Sequence, residues 1–124
     1  MFNELYSQTA KEYFDKGEAK FKQNDYKGAI TDYTKVIELE PNNPVVYNKG
    51  VAKSILENYR GAIDDYTKAI EFNPKDENAY YSRRGIAKIN LEDYRGAIDD
   101  YTKAIELTLK TKWPTITEEL LKVI

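Results

Sequence analysis

The feature that most constrains this sequence is a segment that recurs three times along the chain. Residues 59–71 read YRGAIDDYTKAIE, residues 94–106 are identical over all 13 positions, and residues 26–38 read YKGAITDYTKVIE. A segment that recurs at intervals of 33 and 35 residues predicts an array of similar units, each of which buries its apolar face against its neighbours. A short motif centred on a glycine precedes each copy, at intervals of 33 and 35 residues: Gly17, Gly50 and Gly85.

Each unit has the pattern of two helices separated by a short turn. In the second unit Tyr59, Ala62 and Ile63 begin a series of apolar residues at i, i+3, i+4, i+7, i+10 and i+11, which is one face of an α-helix. Asn and Asp in the turns, such as Asp25 and Asn58, can accept hydrogen bonds from the first free N–H groups of the next helix. Proline ends one helix and permits the next. The linkers between units contain it: Pro41-Asn42-Asn43-Pro44 and Asn73-Pro74-Lys75-Asp76.

The three recurring glycines lie in the middle of the first helix of each unit, where Gly costs roughly 1 kcal/mol relative to Ala. A small residue at a helix crossing lets two helices approach closely. We therefore expect each glycine to meet a small residue of its own unit's second helix. The expected partners are Ala29, Ala62 and Ala97.

Taken together, these markers make the sequence similar to the tetratricopeptide repeat family, and the resemblance covers about residues 10–109. The resemblance implies an all-α fold, a right-handed α-solenoid of three antiparallel helix pairs. First helices would line a concave groove and second helices would form the convex back. The implied activity is binding of peptides or proteins without catalysis. Besides the Gly and Ala markers, the matching residues are Tyr26, Tyr59, Tyr94, Tyr33, Tyr66, Tyr101, Pro41 and Pro74.

The end of the third unit departs from this pattern because it lacks the proline. Thr115-Ile116-Thr117-Glu118 has the form of a capping box. We expect residues 116–124 to form a short C-terminal helix that covers the open end of the stack, although the same segment could begin a fourth unit. The predicted single domain, 1–124, divides into an N-terminal extension (1–9), repeat 1 (10–42), repeat 2 (43–77), repeat 3 (78–109), and a linker with a capping helix (110–124).

Composition argues against several classes of function. The chain has no Cys and no His, which removes disulfides, thiol nucleophiles, the commonest general base and the commonest metal ligand. With 19 basic and 21 acidic residues, it lacks the basic excess of nucleic-acid binders. The adjacent acids Asp64 and Asp65 point about 100° apart on a helix and do not converge. We expect a protein that is not an enzyme and has no cofactor, metal ion or nucleic-acid partner.

The sequence also gives no indication of a membrane. No window approaches 18 uninterrupted apolar residues. The segment 1–7 lacks the basic stretch and apolar run of a secretory signal. We therefore expect a cytoplasmic protein without a membrane partner.

Basic residues recur at two sites four residues apart in the first helix of each unit. Aligned by stacking, they could form a track for acidic ligands. An acid also recurs at one place in each second helix, so pairing inside the unit is the favoured interpretation, ahead of surface solubility and a ligand track. The bases are Lys16, Lys20, Lys49, Lys53, Arg84 and Lys88, and the acids are Asp32, Asp65 and Asp100.

The face of the first helices opposite the core stripe is the candidate binding site. Apolar side chains there form a strip that suggests a binding surface, and Arg83 can grip a carboxylate in a bidentate manner. Packing between adjacent first helices is the alternative for Phe14, Val51 and Ile86. One extra residue within 80–84 leaves the facing of Ser82 and Arg83 open. The predicted groove residues are Phe14, Glu18, Tyr47, Asn48, Val51, Ser82, Arg83 and Ile86.

Some members of the family hold the free C-terminal carboxylate of chaperones with five polar residues, two Lys, two Asn and one Arg. At the matching positions of this sequence only Asn48 and Arg83 agree. Glu18 would repel a carboxylate, and the remaining positions carry Phe14 and Ala79. We therefore expect no chaperone-tail clamp and favour a segment with hydrophobic anchors.

A second hypothesis is a self-assembling structural scaffold that forms a homo-oligomer through its terminal segments. Apolar residues lie near both ends, at Phe2, Leu5 and Tyr6 and along 113–124. Nearly identical units also stack readily end to end. The sequence leaves this alternative open beside a protein or peptide partner in the groove.

Overall fold

The computed structural model describes the backbone of residues 2–72 and 78–124 and the side chains of residues 9–72 and 78–124. Within these ranges the chain is all-α. Consecutive helices pack in pairs, and each pair packs against the next, as a helical solenoid requires. The helices are α1 (Phe2–Lys22), α2 (Tyr26–Leu39), α3 (Val45–Ile55), α4 (Tyr59–Phe72), α5 (Asn78–Asn90), α6 (Tyr94–Lys112) and α7 (Pro114–Val123). The linker Asn73-Pro74-Lys75-Asp76 and the side chains of Phe2, Leu5 and Tyr6 lie outside the described residues.

The turn inside each helix pair has the predicted cap. The side chains of Asp25, Asn58 and Asp93 each accept a hydrogen bond of 3.0 Å from the backbone N–H three residues later. The residue before each cap has a φ of 63° or 64°, in the left-handed region. That conformation reverses the chain and lets the second helix return antiparallel to the first.

The atoms nearest to a Cβ built at the recurring glycines belong to tyrosine and aspartate side chains and not to the alanines that the sequence predicts there. A Cβ added at Gly17 would lie 2.7 Å from Cε1 of Tyr33, and one at Gly50 would lie 2.8 Å from Cε1 of Tyr66. Both tyrosines are fully buried. The missing Cβ therefore makes room for a ring, and close helix approach follows from seating the tyrosine.

The extra residue of the third unit does not form a bulge, because α5 runs without interruption. Gly85 faces Asp100 as Gly50 faces Asp65. α5 begins seven residues before its glycine, whereas α3 begins five residues before its own. The additional length therefore lies at the start of α5, and Arg83 occupies the position that Asn48 occupies in α3.

The C-terminal end differs from the expectation in two ways. α6 has 19 residues against 14 in α2 and α4, because no proline ends it. α7 begins at Pro114 after Trp113, and Thr115 makes no cap hydrogen bond, so the predicted capping box is wrong. Thr117 is buried against the preceding helix, but Ile98 and Ile105 of α6 remain 63 % and 59 % exposed. α7 therefore covers the end of the stack only in part.

Candidate functional site

A cavity of about 290 Å³ opens where the three helix pairs meet on the first-helix side. Its walls come from α1, α2, α3 and α5, so the cavity exists only because the units stack. Polar groups and aromatic rings alternate around it. The lining residues are Glu18, Phe21, Tyr33, Tyr47, Asn48, Val51 and Arg83.

A hydrogen-bonded triad fixes the acid of this cavity. One carboxylate oxygen of Glu18, Oε1, accepts a hydrogen bond from the hydroxyl of Tyr33 at 2.5 Å and another from the side-chain amide of Asn48 at 3.0 Å. Burial raises the pKa of Tyr33, and its hydrogen bond to Glu18 raises that pKa further. Tyr33 therefore stays a neutral donor at any physiological pH, and the carboxylate is held in one orientation.

Two tilted aromatic contacts hold Tyr47, which lines the cavity. The ring of Tyr47 lies 5.7 Å from that of Tyr66 and 4.7 Å from that of Tyr80, measured between centroids. Nε of Arg83 donates a hydrogen bond of 2.7 Å to the hydroxyl of Tyr47. This contact joins the third unit to the second. It also holds the guanidinium of Arg83 at the rim of the cavity.

The cavity contains five of the eight residues that the sequence predicts for the groove: Glu18, Tyr47, Asn48, Val51 and Arg83. Phe14 packs beside the core and lines a separate depression of about 500 Å³ between α1 and the 43–45 segment, which shares Asn48 with the first. Ser82 and Ile86 line neither space, and Ile86 is 50 % exposed.

Sequence reasoning missed two lining residues, Phe21 and Tyr33. Tyr33 lies on the apolar stripe of α2, which predicts a core residue, and its ring is indeed buried. Its hydroxyl nevertheless reaches across to the first helix. Phe21 lies four residues after Gly17, where the second unit has Ser54, which does not line the cavity, so the register of the repeats gave no signal for it.

The predicted ion pairs inside each unit are confirmed for four of the six bases. Lys20 lies 2.8 Å from Asp32, Lys53 lies 3.0 Å from Asp65, and Arg84 and Lys88 both contact Asp100. The hydrogen bonding that Arg84 donates to the carboxylate of Asp100 is the main cause that raises the pKa of Arg84. These pairs fasten the first helix of a unit to the second and leave few of the charges free for a ligand.

The other two bases behave differently. Lys16 lies over the ring of Tyr13, with its Nζ 5.5 Å from the centroid. Burial lowers the pKa of Lys49, and Asp65 opposes that effect. The basic residues are therefore not one continuous track.

Within the described ranges, no group of three or more Asp and Glu side chains has the arrangement of a metal site. Asp64 is exposed and Asp65 is buried, so the adjacent acids face different surroundings. No helix among the described residues is both long and apolar enough to cross a bilayer.

The stacked helix pairs and their concave cavity define a helical-repeat protein of the kind that offers an extended binding surface. Family profiles of the tetratricopeptide repeat match residues 10–43, 45–76 and 79–111. The chain belongs to the tetratricopeptide repeat family. Domains of this family are generally non-catalytic modules that bind other proteins.

Solved structures of such domains resemble the whole chain. The first tetratricopeptide domain of Spaghetti (RPAP3), bound to the HSP90 peptide SRMEEVD, is 35 % identical with a TM-score of 0.75, over 94 % of this chain and 91 % of that one. The domain of Arabidopsis OM64 is 28 % identical with a TM-score of 0.77, over 94 % and 97 %. The TPR2B domain of yeast Sti1, in a complex with Hsp70, is 25 % identical with a TM-score of 0.77, over 93 % and 92 %. No curated protein matches the sequence.

Proposed function

We propose that this chain binds a peptide or an extended protein segment in its concave groove. The observation that carries this proposal is the cavity between the units, where an oriented acid, an amide and a guanidinium converge among aromatic rings. A concave, largely apolar space with a few fixed polar groups is the usual form of a binding site. Similar domains that hold HSP90 and Hsp70 peptides support the same class of ligand.

We propose that the groove does not hold the acidic C-terminal tails of chaperones. Of the five clamp positions, only Asn48 and Arg83 carry the expected residues. Glu18 stands where an amide donor would be needed, and it already uses the Asn48 amide as a donor. We therefore propose a protein segment other than a chaperone tail as the ligand.

We expect Val51→Glu combined with Ile86→Glu to reduce peptide retention by at least about 30-fold, because the carboxylate added at Val51, in the wall of the cavity, would be desolvated beneath a bound segment. The measurement is retention of a mixture of short blocked peptides of randomised sequence on the immobilised protein. The matched control is Ile98→Glu, a change of the same kind on the exposed stripe of α6, outside the groove. Unchanged retention in the groove variant, with its circular dichroism intact, would contradict the proposal.

Self-assembly through the C-terminal segment is the second candidate function, and one comparison within the chain favours it. α4 and α6 begin with the same 13 residues. In α4 the stripe is covered, since Ile70 packs against the cluster that contains Tyr80 of α5. In α6 the equivalent Ile105 is 59 % exposed, and Tyr94 and Ile98 are also exposed. The apolar stripe that packs against the following unit in α4 is therefore exposed in α6.

A second copy is the partner that we propose for this open stripe. Ile116 and Leu120 of α7 are also exposed and lie beside it in the chain. α1 offers charged, exposed Glu12 and Lys16 on its surface, so head-to-tail stacking onto α6 would bury charge. If two copies joined symmetrically through α6 and α7 instead, one contact would cover the apolar stripe of each copy.

For this assembly we expect light scattering to show a dimer of the unmodified chain and a monomer of Ile98→Glu at the same concentration. The reason is that two carboxylates would be brought together in an apolar contact, which weakens association by at least about 30-fold. Val51→Glu with Ile86→Glu serves as the control and should leave the dimer unchanged. A monomer of the unmodified chain across a wide concentration range would rule out self-assembly.

A further inference from the structure

We propose that the cavity beside Glu18 receives a basic side chain, Lys or Arg, of the bound segment. This inference rests on the proposed function, because it assigns the chemistry of a ligand to the same groove. It concerns the charge of the side chain that the cavity selects. That charge is opposite to the acidic character of the peptide bound by the similar Spaghetti domain.

Glu18 is the acid that distinguishes this cavity. It follows Gly17 directly, and the residues that follow the equivalent glycines are Val51 and Ile86. Both donors of the triad contact the same oxygen, Oε1. Within the described part of the chain, the second oxygen accepts no hydrogen bond and Glu18 has no ion pair. A half-buried carboxylate is thus oriented but not neutralised, and a cation from a ligand would supply the missing partner.

The surroundings of Glu18 suit a long basic side chain. Phe21, Tyr33 and Tyr47 place three aromatic rings around the same space. Ring faces attract ammonium and guanidinium groups, and the methylene stem of Lys or Arg gains from contact with apolar walls such as Val51. An acidic side chain would meet no free donor of the triad and would be repelled by Glu18, so its place is beside Arg83 at the rim and not beside Glu18.

Arg83 lines the cavity but does not fill the place of the ligand cation. It is exposed at the rim, its Nε is bound to the Tyr47 hydroxyl, and it makes no ion pair with Glu18. Water screens its repulsion of a second cation. Its remaining N–H groups are suited to a backbone carbonyl or an acidic side chain beside the basic residue of the segment.

The test uses mixtures of short blocked peptides with randomised flanks and one fixed central residue: Lys, Arg, norleucine or Glu. Norleucine has the shape of the Lys stem without its charge. We expect the protein to retain the Lys and Arg mixtures about tenfold more than the norleucine mixture, and the Glu mixture least. Glu18→Gln keeps an oxygen acceptor for Tyr33 and Asn48 but removes the charge, and should reduce the tenfold preference to about one. Glu71→Gln removes an exposed acid of α4 and should leave the preference unchanged.

The outcomes separate this inference from the groove function. Equal retention of the Lys and norleucine mixtures by the unmodified protein would overturn the basic pocket, as would a preference that survives Glu18→Gln. If in either case Val51→Glu with Ile86→Glu still removed retention of the uncharged norleucine mixture, the groove function would stand without the basic pocket. Retention of the norleucine mixture that survived those two substitutions would contradict the groove function and the inference that rests on it.

Discussion

We expect Asp65→Asn to lower the free energy of unfolding by about 3 kcal/mol, the value typical of breaking a buried ion pair by removing one partner. Asp65 is 3 % exposed, and its carboxylate lies 3.0 Å from Nζ of Lys53, whose side chain is also largely buried. The variant keeps the size of the side chain, so the effect comes from the charge. Lys53 would then lie between two helices without a counter-charge, close to Lys49, whose pKa burial already lowers.

Urea unfolding followed by circular dichroism measures this effect. Asp64→Asn is the matched control, since Asp64 is the exposed neighbour on the same helix, and it should change stability by less than about 0.5 kcal/mol. The double variant Lys53→Met, Asp65→Leu should recover most of the loss, because an apolar pair of similar volume replaces a buried ion pair at little cost. A loss for Asp65→Asn no greater than for Asp64→Asn would show that the pair contributes nothing.

The architecture could be predicted from the sequence because the helical pattern, the caps and the period are all local properties. The ion pairs followed from the same register, since a base and an acid recur at fixed places in each unit. The uncovered C-terminal end of the stack was less predictable than the architecture. Without a proline α6 continues to Lys112, and by roughly 1.5 Å per residue the five extra residues begin α7 about 7.5 Å further along the axis.

The candidate site was less predictable than the fold because it depends on how far side chains reach. A helical pattern places Tyr33 on the core face, but it does not say that the hydroxyl meets Glu18 from the other helix. The same limit applies to Arg83, whose hydrogen bond to Tyr47 joins two units. The period predicted the facing of five first-helix residues that line the cavity, but it missed Phe21 on α1 and the Tyr33 side chain that spans the core.

The recurring glycines give the second large effect, because the same substitution should have opposite signs in two units. Gly50→Ala places a Cβ 2.8 Å from Cε1 of the fully buried Tyr66 and is expected to destabilise the protein by about 2 kcal/mol, even after its gain in helix propensity. At Gly85 the nearest atom, Cβ of Asp100, is 3.4 Å away, an ordinary contact. Gly85→Ala should therefore stabilise by up to about 1 kcal/mol.

The two variants should thus differ by about 3 kcal/mol in urea unfolding, although each replaces the middle glycine of a first helix by alanine. The difference arises from the rings: two ring atoms of Tyr66 lie within 3.0 Å of a Cβ built at Gly50, whereas Tyr101 is only partly buried and its nearest ring atoms lie 3.4 Å from a Cβ at Gly85. Tyr66→Leu should remove much of the penalty of Gly50→Ala, because a smaller side chain leaves space for the Cβ, and the two changes would then combine non-additively. Equal effects at Gly50 and Gly85 would mean that both glycines are needed only for backbone geometry. The contact with Tyr66 would then not explain why residue 50 is a glycine.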